Sequence, residues 1–343
     1  MGFDGIKPFN DPGDNIMYTP ETFTVALILV IASMFCWGSW PNFLKAAPKW
    51  RLEYFYLDYA IGFLIAGVII GTTLGSRSSP GAAFFTRMVN AGHIEAGCAV
   101  LGGLLWCLGN ILMLNAIVIV GMAVAYPISM VPAVVLGVGI SYYTQPIGNP
   151  IWLAGSVILL LIAGFTNARA CGRLGGTAQP KNPKGVKLAL MCGIMVGIFP
   201  PFVSRAITGA NALDSYTVSV YFMLGAFLAT LIAVPILLAR PLVGNVGRLK
   251  DFVRGRPAWH LLGILAGIVW SIGTMSNFLA AKTVGMAISW GVGSGAPMVG
   301  ALWGILLWKE FAHGDSRAKM LITASLLLYV AGVAGVALAY MNA

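Results

Sequence analysis

Long apolar segments are the feature that most constrains how this chain can fold. Crossing a bilayer as a helix takes about 20 apolar residues, and ten segments approach or exceed that length. These segments are 22–44, 54–75, 94–115, 120–142, 151–170, 186–206, 215–238, 259–281, 286–308 and 320–341. Only 9% of the residues are charged, whereas a soluble domain carries about 25%. The sequence therefore predicts an all-α integral membrane protein with ten transmembrane helices and excludes an ordinary soluble globule.

The ten segments divide into two sets of five, separated by a short basic stretch. We predict a polar N-terminal tail at 1–21, a first five-helix repeat at 22–172, a basic cytoplasmic linker at 173–185 and a second five-helix repeat at 186–343. The tail is polar and rather acidic, so it is not a cleavable signal peptide. The first apolar segment is consequently expected to remain as a membrane helix.

The positions of Lys and Arg indicate the orientation. Of the 21 such residues, 16 lie in or beside the loops after spans one, three, five, seven and nine. By the positive-inside rule these loops face the cytoplasm, which places both termini outside a plasma or inner membrane. The net charge of +10 is therefore interpreted as a topology signal. A nucleic-acid partner is not expected, because no aromatic residues alternate with the basic ones.

The chain also contains an internal repeat. The segment GLLWCLGNILMLNAIVIVGMAVAYP in span three aligns without gaps with GIVWSIGTMSNFLAAKTVGMAISWG in span eight. The alignment matches Trp106 with Trp270 and the GMA turn at Gly121 with that at Gly285. Because each repeat has an odd number of helices, the second repeat is expected to be inverted in the membrane. Inverted repeats are typical of secondary transporters, which bind substrate at the repeat interface near the midplane.

Proline residues interrupt four of the predicted spans and mark the candidate substrate cavity. A proline leaves the carbonyl four residues earlier without its helical donor, and such a carbonyl either contacts a neighbouring helix or lines a cavity. The prolines lie in spans one (Pro41), four (Pro127, Pro132), six (Pro200, Pro201) and nine (Pro297). These four helices are therefore the candidates for lining the central cavity.

Polar and aromatic side chains within the apolar spans are the candidate substrate contacts, because such residues are costly in lipid unless they face a cavity or a partner. Amides and hydroxyls both donate and accept hydrogen bonds, and aromatic rings stack on flat ligands. Packing between helices is the alternative for each of them. The candidates are Trp37, Trp40, Asn42, Asn110, Asn115, Tyr126, Asn277, Ser289 and Trp290.

Two carboxylates near the start of span two, Glu53 and Asp58, are the candidates for proton coupling. Ionisable residues at membrane depth often mark proton relays. The sequence contains no catalytic or phosphate-binding motif, and its five cysteines lack the spacing of metal ligands. We therefore expect no enzymatic activity, no metal site and no cofactor.

The segment CWGSWPNFLKAAPKWRLEYFYLDYAIG (36–62), together with GMAVAYPI after span three, resembles the ureide permease family. This family belongs to the drug/metabolite transporter superfamily, near its glucose/ribose and rhamnose porter branch. The resemblance implies two inverted five-helix repeats and secondary active uptake of small polar solutes. For plant members it implies proton-coupled uptake of allantoin, uracil and related heterocycles. Plant members are expected to carry a long central loop, which is short here.

The resulting hypothesis is a proton-coupled secondary transporter of a small polar solute of ureide or nucleobase type. A sugar porter for rhamnose, glucose or ribose on the same scaffold is the alternative. A passive channel and a membrane-embedded enzyme are the hypotheses from other classes, and uphill accumulation distinguishes the transporter from the channel. The expected partners are the solute, a proton and the lipid bilayer. A homodimer is permitted by G-x-x-x-G pairs at Gly67/Gly71, Gly263/Gly267 and Gly300/Gly304.

Overall fold

The computed structural model describes residues 17–76, 82–174, 182–208, 211–312 and 314–342. Residues 1–16 of the predicted tail and residues 175–181 of the predicted linker lie outside these ranges. The helices are α1 (Phe23–Ser39), α2 (Pro41–Ala46), α3 (Leu52–Thr73), α4 (Ala82–Val89), α5 (His93–Val120), α6 (Met122–Thr144), α7 (Pro150–Gly172), α8 (Pro183–Thr208), α9 (Ser215–Ala239), α10 (Leu249–Val253), α11 (Pro257–Val284), α12 (Met286–Gly293), α13 (Ala296–Leu306) and α14 (Ser316–Met341).

Within the described ranges, nine helices are long and apolar enough to cross a membrane, with α1 and α2 counted as one. This confirms the prediction of an all-α, multi-pass integral membrane protein. The predicted ninth span, 286–308, differs from the others because it is divided into α12 and α13. Glycines at 291, 293 and 295 weaken the helix there. Pro297 in the first turn of α13 cannot donate to the preceding turn.

The predicted proline interruptions occur in only two of the four helices. The chain breaks at Trp40, just before Pro41, and again before α13. The interruptions expected in spans four and six are wrong: α6 continues through its prolines Pro127 and Pro132, and α8 through Pro200 and Pro201. These two helices pack closely against each other, and a neighbouring helix stabilises a helix that a proline would otherwise break.

The helix contacts are nearly symmetrical between the first and second sets of spans. The contact between α5 and α8 corresponds to the contact between α11 and α1. The contact between α5 and α9 corresponds to the contact between α11 and α3. Helix α6 contacts α8, and α1 correspondingly contacts both α12 and α13. The pairs α3–α9, α7–α14 and α6–α12 join equivalent helices directly. Each of these helix contacts therefore has an equivalent contact when the helices of the first set of five spans are replaced by those of the second.

The matched glycine turns and tryptophans also have equivalent surroundings. Gly121 ends α5 with φ 78° and ψ 158°, and Gly285 ends α11 with φ 82° and ψ 153°. A positive φ of this size favours glycine, which explains the two matched turns. Trp106 and Trp270 stack on each other, with their ring centroids 4.2 Å apart. The two copies of the repeated segment therefore meet along their tryptophans.

The glycine at the start of the repeated segment lets each copy approach another helix closely. A Cβ atom on Gly103 of α5 would overlap the backbone carbonyl of Phe222 in α9. A Cβ atom on Gly267 of α11 would overlap the backbone carbonyl of Tyr59 in α3. Because the obstacle is main chain and not a flexible side chain, each contact requires glycine.

We expect Gly103→Ala to lower the stability of the protein, since overpacking costs roughly 1–3 kcal/mol. The matched control is Gly97→Ala in the same helix, where a Cβ atom would have no neighbour within 4 Å. The control should be neutral or stabilising, because alanine favours a helix by about 1 kcal/mol over glycine. Thermal unfolding in detergent measures the difference, and equal unfolding temperatures for the two variants would contradict this packing.

The G-x-x-x-G pairs have neighbours within the chain. Gly67 faces Met223 and Gly71 faces the Phe84 ring, while the Gly267 contact joins α11 to α3. These faces are therefore occupied by intramolecular packing. The predicted homodimer remains a prediction.

Candidate functional site

The two helix breaks lie side by side. Helix α1 packs on α12 and on α13, so the break at Trp40 lies beside the break at Ser294 and Gly295. Gly38, just before the first break, faces the carbonyl of Ala296 just after the second. The absence of a Cβ atom at Gly38 permits this close approach. Two interrupted spans are thereby placed side by side.

Trp37 and Trp290 form the aromatic centre of this region. Their rings meet edge to face with centroids 5.9 Å apart, and Phe199 of α8 meets Trp290 at 5.0 Å. The Trp37 indole donates to Thr274 Oγ1 at 3.2 Å, and the Trp290 indole donates to the Ala133 carbonyl at 3.3 Å. Trp290 is buried, whereas Trp37 is partly exposed. Hydrogen bonds thus fix both ring orientations.

Asn277 and Ser289 are buried and bind each other. The Asn277 amide donates to the Ser289 carbonyl at 3.2 Å, and the Ser289 hydroxyl donates to Asn277 Oδ1 at 2.6 Å and lies 3.0 Å from its carbonyl. These bonds join α11 to α12 next to the break. The pair therefore fixes the position of α12, and with it the position of Trp290.

Trp40 and Asn42 lie where α2 begins. Trp40 is buried and stacks on Tyr59 of α3 at 4.8 Å. Asn42 donates to the Ser39 carbonyl at 2.9 Å and accepts from the Trp308 indole at 2.6 Å. Both candidates therefore hold α2 in place, Trp40 through packing and Asn42 through hydrogen bonds.

Three side-chain pairs connect the end of α1 and helix α2 with the end of α13 and the loop that follows it, and we call them the latch. They are Ser39–Trp303, Asn42–Trp308 and Lys45–Glu310. The Lys45 ammonium also lies 4.6 Å from the centre of the Trp308 ring. The sequence did not reveal Trp303, Trp308 or Glu310 as partners, because their contacts span more than 260 positions.

We expect Glu310→Gln to loosen α2. An exposed ion pair is worth about 0.2–1 kcal/mol, so the backbone amides of residues 42–46 should exchange hydrogen up to about fivefold faster. Hydrogen exchange followed by mass spectrometry measures this rate. The control Lys319→Gln removes an exposed charge that forms no ion pair with a described residue. An equal effect of both variants would show that the latch does not hold α2.

Asp58 is buried between α3 and α11, with only 2% of its surface exposed. His260 Nδ1 lies 2.8 Å from Asp58 Oδ1, and the Trp50 indole donates to Oδ2 at 3.0 Å. A Cβ atom on Gly263 of α11 would overlap the Asp58 side chain. Both carboxylate oxygens therefore have partners, one of which is titratable.

Aromatic rings cover this carboxylate. Trp50 contacts the rings of Tyr54 at 5.0 Å, Trp259 at 5.4 Å, Phe252 of α10 at 6.1 Å and His260 at 5.0 Å. His260 is not predictable from the sequence as a partner of Asp58, because it lies at a helix end and 202 positions away. Its position in the first turns of α11 becomes informative only once α11 is known to pack on α3.

Glu53, the other candidate for coupling, binds a neighbouring cation. Arg51 donates to both Glu53 oxygens, at 3.0 and 2.9 Å. The hydrogen bond to Glu53, opposed by partial burial, raises the pKa of Arg51. Glu53 is thus held in a bidentate ion pair, whereas Asp58 has no Lys or Arg partner among its described contacts.

Glu53 and Asn115 also line a cleft at the end of the bundle that carries Arg51. Asn115 donates to the Ile111 carbonyl of its own helix at 2.8 Å. The Tyr56 hydroxyl is buried beside the Asn110 side chain. The cleft is lined by Leu52, Glu53, Tyr56, Ile111, Asn115, Val234 and Leu237.

Tyr126 is partly buried in a different environment. Its hydroxyl is near Tyr329 of α14, Cys192 of α8 and Cys171 of α7. The structure thus groups Trp37, Trp290, Asn277 and Ser289 around the breaks. It places Asn115 and Glu53 on the cleft and Asn110 beside Tyr56, and it associates Tyr126 with a third set of helices. In the part of the chain described, no group of three or more His, Cys, Asp or Glu side chains is positioned to hold a metal.

Comparison with known proteins relates this arrangement to a family. The family model for ureide permeases matches residues 55–170 and 179–339. Ureide permease 4 of Arabidopsis thaliana is 25% identical, with 93% of this chain and 98% of that protein aligned. Ureide permease 1 of the same plant is 24% identical over 93% of this chain and 97% of that protein.

Two further similarities extend beyond the plant proteins. A Lactiplantibacillus plantarum protein named "Putative sugar uptake protein" is 22% identical over 71% of this chain and 79% of its own. A protein of known crystal structure aligns with a TM-score of 0.60 at 15% identity, over 91% of this chain and 96% of its own. At that identity the structural likeness shows the fold alone.

Proposed function

Because the chain belongs to the ureide permease family, we propose that it is a proton-coupled secondary transporter of a small polar solute of ureide or nucleobase type. The observation that carries this proposal is the family match, which covers most of the chain. The multi-pass helical fold supports it, since permeases are integral membrane proteins. Allantoin and uracil are the representative cargoes. Both are small heterocycles that carry N–H and C=O groups.

The cargo binds, in this proposal, between the two helix breaks. Pro41 and Pro297 have no N–H for the carbonyls of Trp37 and Gly293, four residues earlier. These carbonyls are suited to accept from cargo N–H groups. Trp37 and Trp290 offer rings on which a flat heterocycle stacks. The remaining candidates near the breaks, Trp40, Asn42, Asn277 and Ser289, then position the site instead of supplying its free polar groups.

The transport cycle follows from two inverted repeats of five helices each. The equivalent helix contacts in the two sets of spans and the matching turns at Gly121 and Gly285 support this architecture. In such proteins one repeat moves against the other around a fixed midplane site. The division of span nine fits the architecture, because discontinuous helices commonly form these sites. Both termini are outside, as the positions of Lys and Arg predict.

Coupling is assigned to Asp58. Its carboxylate is buried and has a titratable partner in His260. Proton binding to Asp58 would change its interaction with His260 and hence the contact between α3 and α11. Glu53 is the second candidate, although its ion pair with Arg51 favours a structural role.

A sugar is the second candidate cargo. The similarity to the sugar uptake protein named above favours it. Sugars are also small polar solutes, and their apolar faces stack on aromatic rings. The same site beside Trp37 and Trp290 would serve.

Competition in proteoliposomes tests the cargo class. Vesicles containing purified protein are given radiolabelled uracil or allantoin, and labelled sugars in parallel, each with excess unlabelled competitors. We expect uptake of the labelled heterocycles. Unlabelled heterocycles should reduce this uptake, whereas rhamnose, glucose and ribose should not. Saturable uptake of a sugar alone would transfer the assignment to the second candidate.

A further inference from the structure

The segment between α9 and α11, residues 240–256, concentrates exposed positive charge, and we call it the α10 segment. It contains five basic residues and a single acidic one, Asp251. All five basic side chains belong to exposed residues, and none forms an ion pair with another described residue. They are Arg240, Arg248, Lys250, Arg254 and Arg256. The α10 segment therefore presents a strongly positive surface.

Exposed apolar side chains lie among these cations. Val246 is 69% exposed, Leu249 is 53% exposed and Val253 is 81% exposed. Successive residues of an α-helix are about 100° apart around its axis. Leu249 and Val253 therefore share one face of α10, and Lys250 and Arg254 share the adjacent face. A surface that is apolar on one face and basic on the next is typical of segments that lie in a membrane interface.

The position of α10 in the chain places it at the membrane surface. It joins α9 to α11, which are both long and apolar enough to cross a membrane. The other side of α10 packs on the protein: Phe252 contacts the rings of Trp50 at 6.1 Å and His260 at 4.7 Å. The Tyr54 hydroxyl donates to the Arg248 carbonyl at 2.7 Å, just before α10 begins. A helix of five residues has little stability by itself, so these contacts hold it in place.

We propose that the α10 segment binds an anionic phospholipid at the membrane surface. Lys250 and Arg254 attract the phosphate of the headgroup, and Leu249 and Val253 contact the acyl chains. A soluble phosphate compound would use the cations alone and would leave both apolar side chains in water. Because Phe252 on the other side of α10 covers the Asp58–His260 pair, a bound lipid also holds this cover in place. The lipid site is independent of the cargo and of the coupling assigned to Asp58.

Native mass spectrometry of the purified full chain in detergent tests this site, with phosphatidylglycerol and phosphatidylcholine as the lipids. Wild-type protein should bind phosphatidylglycerol in preference to phosphatidylcholine. Each cation near an anionic membrane surface strengthens binding about fivefold, so Lys250→Gln/Arg254→Gln should weaken phosphatidylglycerol binding by about 30-fold. The control Arg317→Gln/Lys319→Gln removes two exposed cations of α14 and should leave the preference unchanged. Equal losses in the two double variants would overturn the site, because binding would then depend on net charge alone.

A second double variant, Leu249→Ser/Val253→Ser, distinguishes a lipid from a soluble anion. It should weaken phosphatidylglycerol binding about tenfold, because both apolar side chains lose their contact with the acyl chains. Both side chains are exposed, so the fold is expected to tolerate their replacement. Glycerol phosphate at the same concentration should not displace the lipid. Displacement by glycerol phosphate, together with no effect of the two serine substitutions, would show a site for soluble anions and overturn the lipid assignment.

Hydrogen exchange in lipid nanodiscs tests whether the lipid holds α10 in place. The backbone amides of Asp251 and Gly255 donate to the carbonyls of Arg248 and Phe252. Amides of residues 251–255 should exchange about fivefold more slowly in nanodiscs containing phosphatidylglycerol than in phosphatidylcholine alone. The difference should disappear in Lys250→Gln/Arg254→Gln. Equal exchange of the wild-type protein in the two lipids would contradict the proposed hold on α10, whatever the protein transports.

Discussion

Asp58→Asn is expected to abolish accumulation of cargo above equilibrium while leaving exchange of cargo across the membrane. Asparagine preserves the shape of the side chain, and its carbonyl oxygen accepts a hydrogen bond from Trp50 as the carboxylate does. It cannot take up or release a proton, so a proton gradient would no longer drive transport. Uptake into proteoliposomes with an inward proton gradient should fall from well above the equilibrium level to that level. Counterflow without a gradient should persist.

Two further variants separate Asp58 from the other buried carboxylates. Glu95→Gln removes a carboxylate that is equally buried, at the opposite end of the bundle, beside Arg205. It is expected to retain gradient-driven accumulation. Glu53→Gln tests the second candidate for coupling. Uphill accumulation that survives Asp58→Asn and is lost in Glu53→Gln would reverse the assignment of the two carboxylates.

Trp37→Ala is expected to reduce uptake at least about fivefold when the cargo concentration is well below KM. The Trp37 ring contacts Trp290, and its indole donates a hydrogen bond to Thr274. Removing the ring therefore removes one oriented stacking surface for the cargo. Stacking of a base on an aromatic side chain is worth about 1–3 kcal/mol, which corresponds to roughly five- to 150-fold in affinity. The loss should appear as a raised KM for the heterocycle, and Trp37→Phe should recover part of it.

Trp152→Ala is the control for this variant. Trp152 lies on α7 with 46% of its surface exposed, away from both helix breaks. Its replacement should leave KM unchanged. Equal KM values for wild-type protein and Trp37→Ala, with both proteins folded by thermal unfolding in detergent, would remove Trp37 from the substrate site.

The sequence was sufficient to predict the parts of the fold that depend on local pattern. Apolar length predicted ten spans, and the described chain contains nine helices long enough to cross a membrane. The glycine match at Gly121 and Gly285 predicted two turns, and their backbone angles are nearly identical. The resemblance to ureide permeases is confirmed by the family match. Proline was a weaker guide, because a helix breaks at a proline only where its neighbours do not support it. Helix α6 is continuous, whereas span nine is divided.

The partners of individual side chains depend on which helices pack together, and one sequence does not supply that information. The stacking of Trp106 on Trp270 followed from no local pattern, although the two residues were matched as equivalents. His260 became the partner of Asp58 only through the packing of α11 on α3. Likewise, Asn277 and Ser289 were predicted separately as substrate contacts, and the structure shows them bound to each other.

The central claim is that this chain uses a proton gradient to concentrate a ureide or nucleobase-like solute. The most direct measurement is uptake of radiolabelled allantoin and uracil into proteoliposomes, with and without an imposed inward proton gradient. We expect accumulation above equilibrium only with the gradient, and we expect it to collapse when a protonophore is added. Uptake that reaches the equilibrium level at the same rate with and without the gradient would contradict the claim.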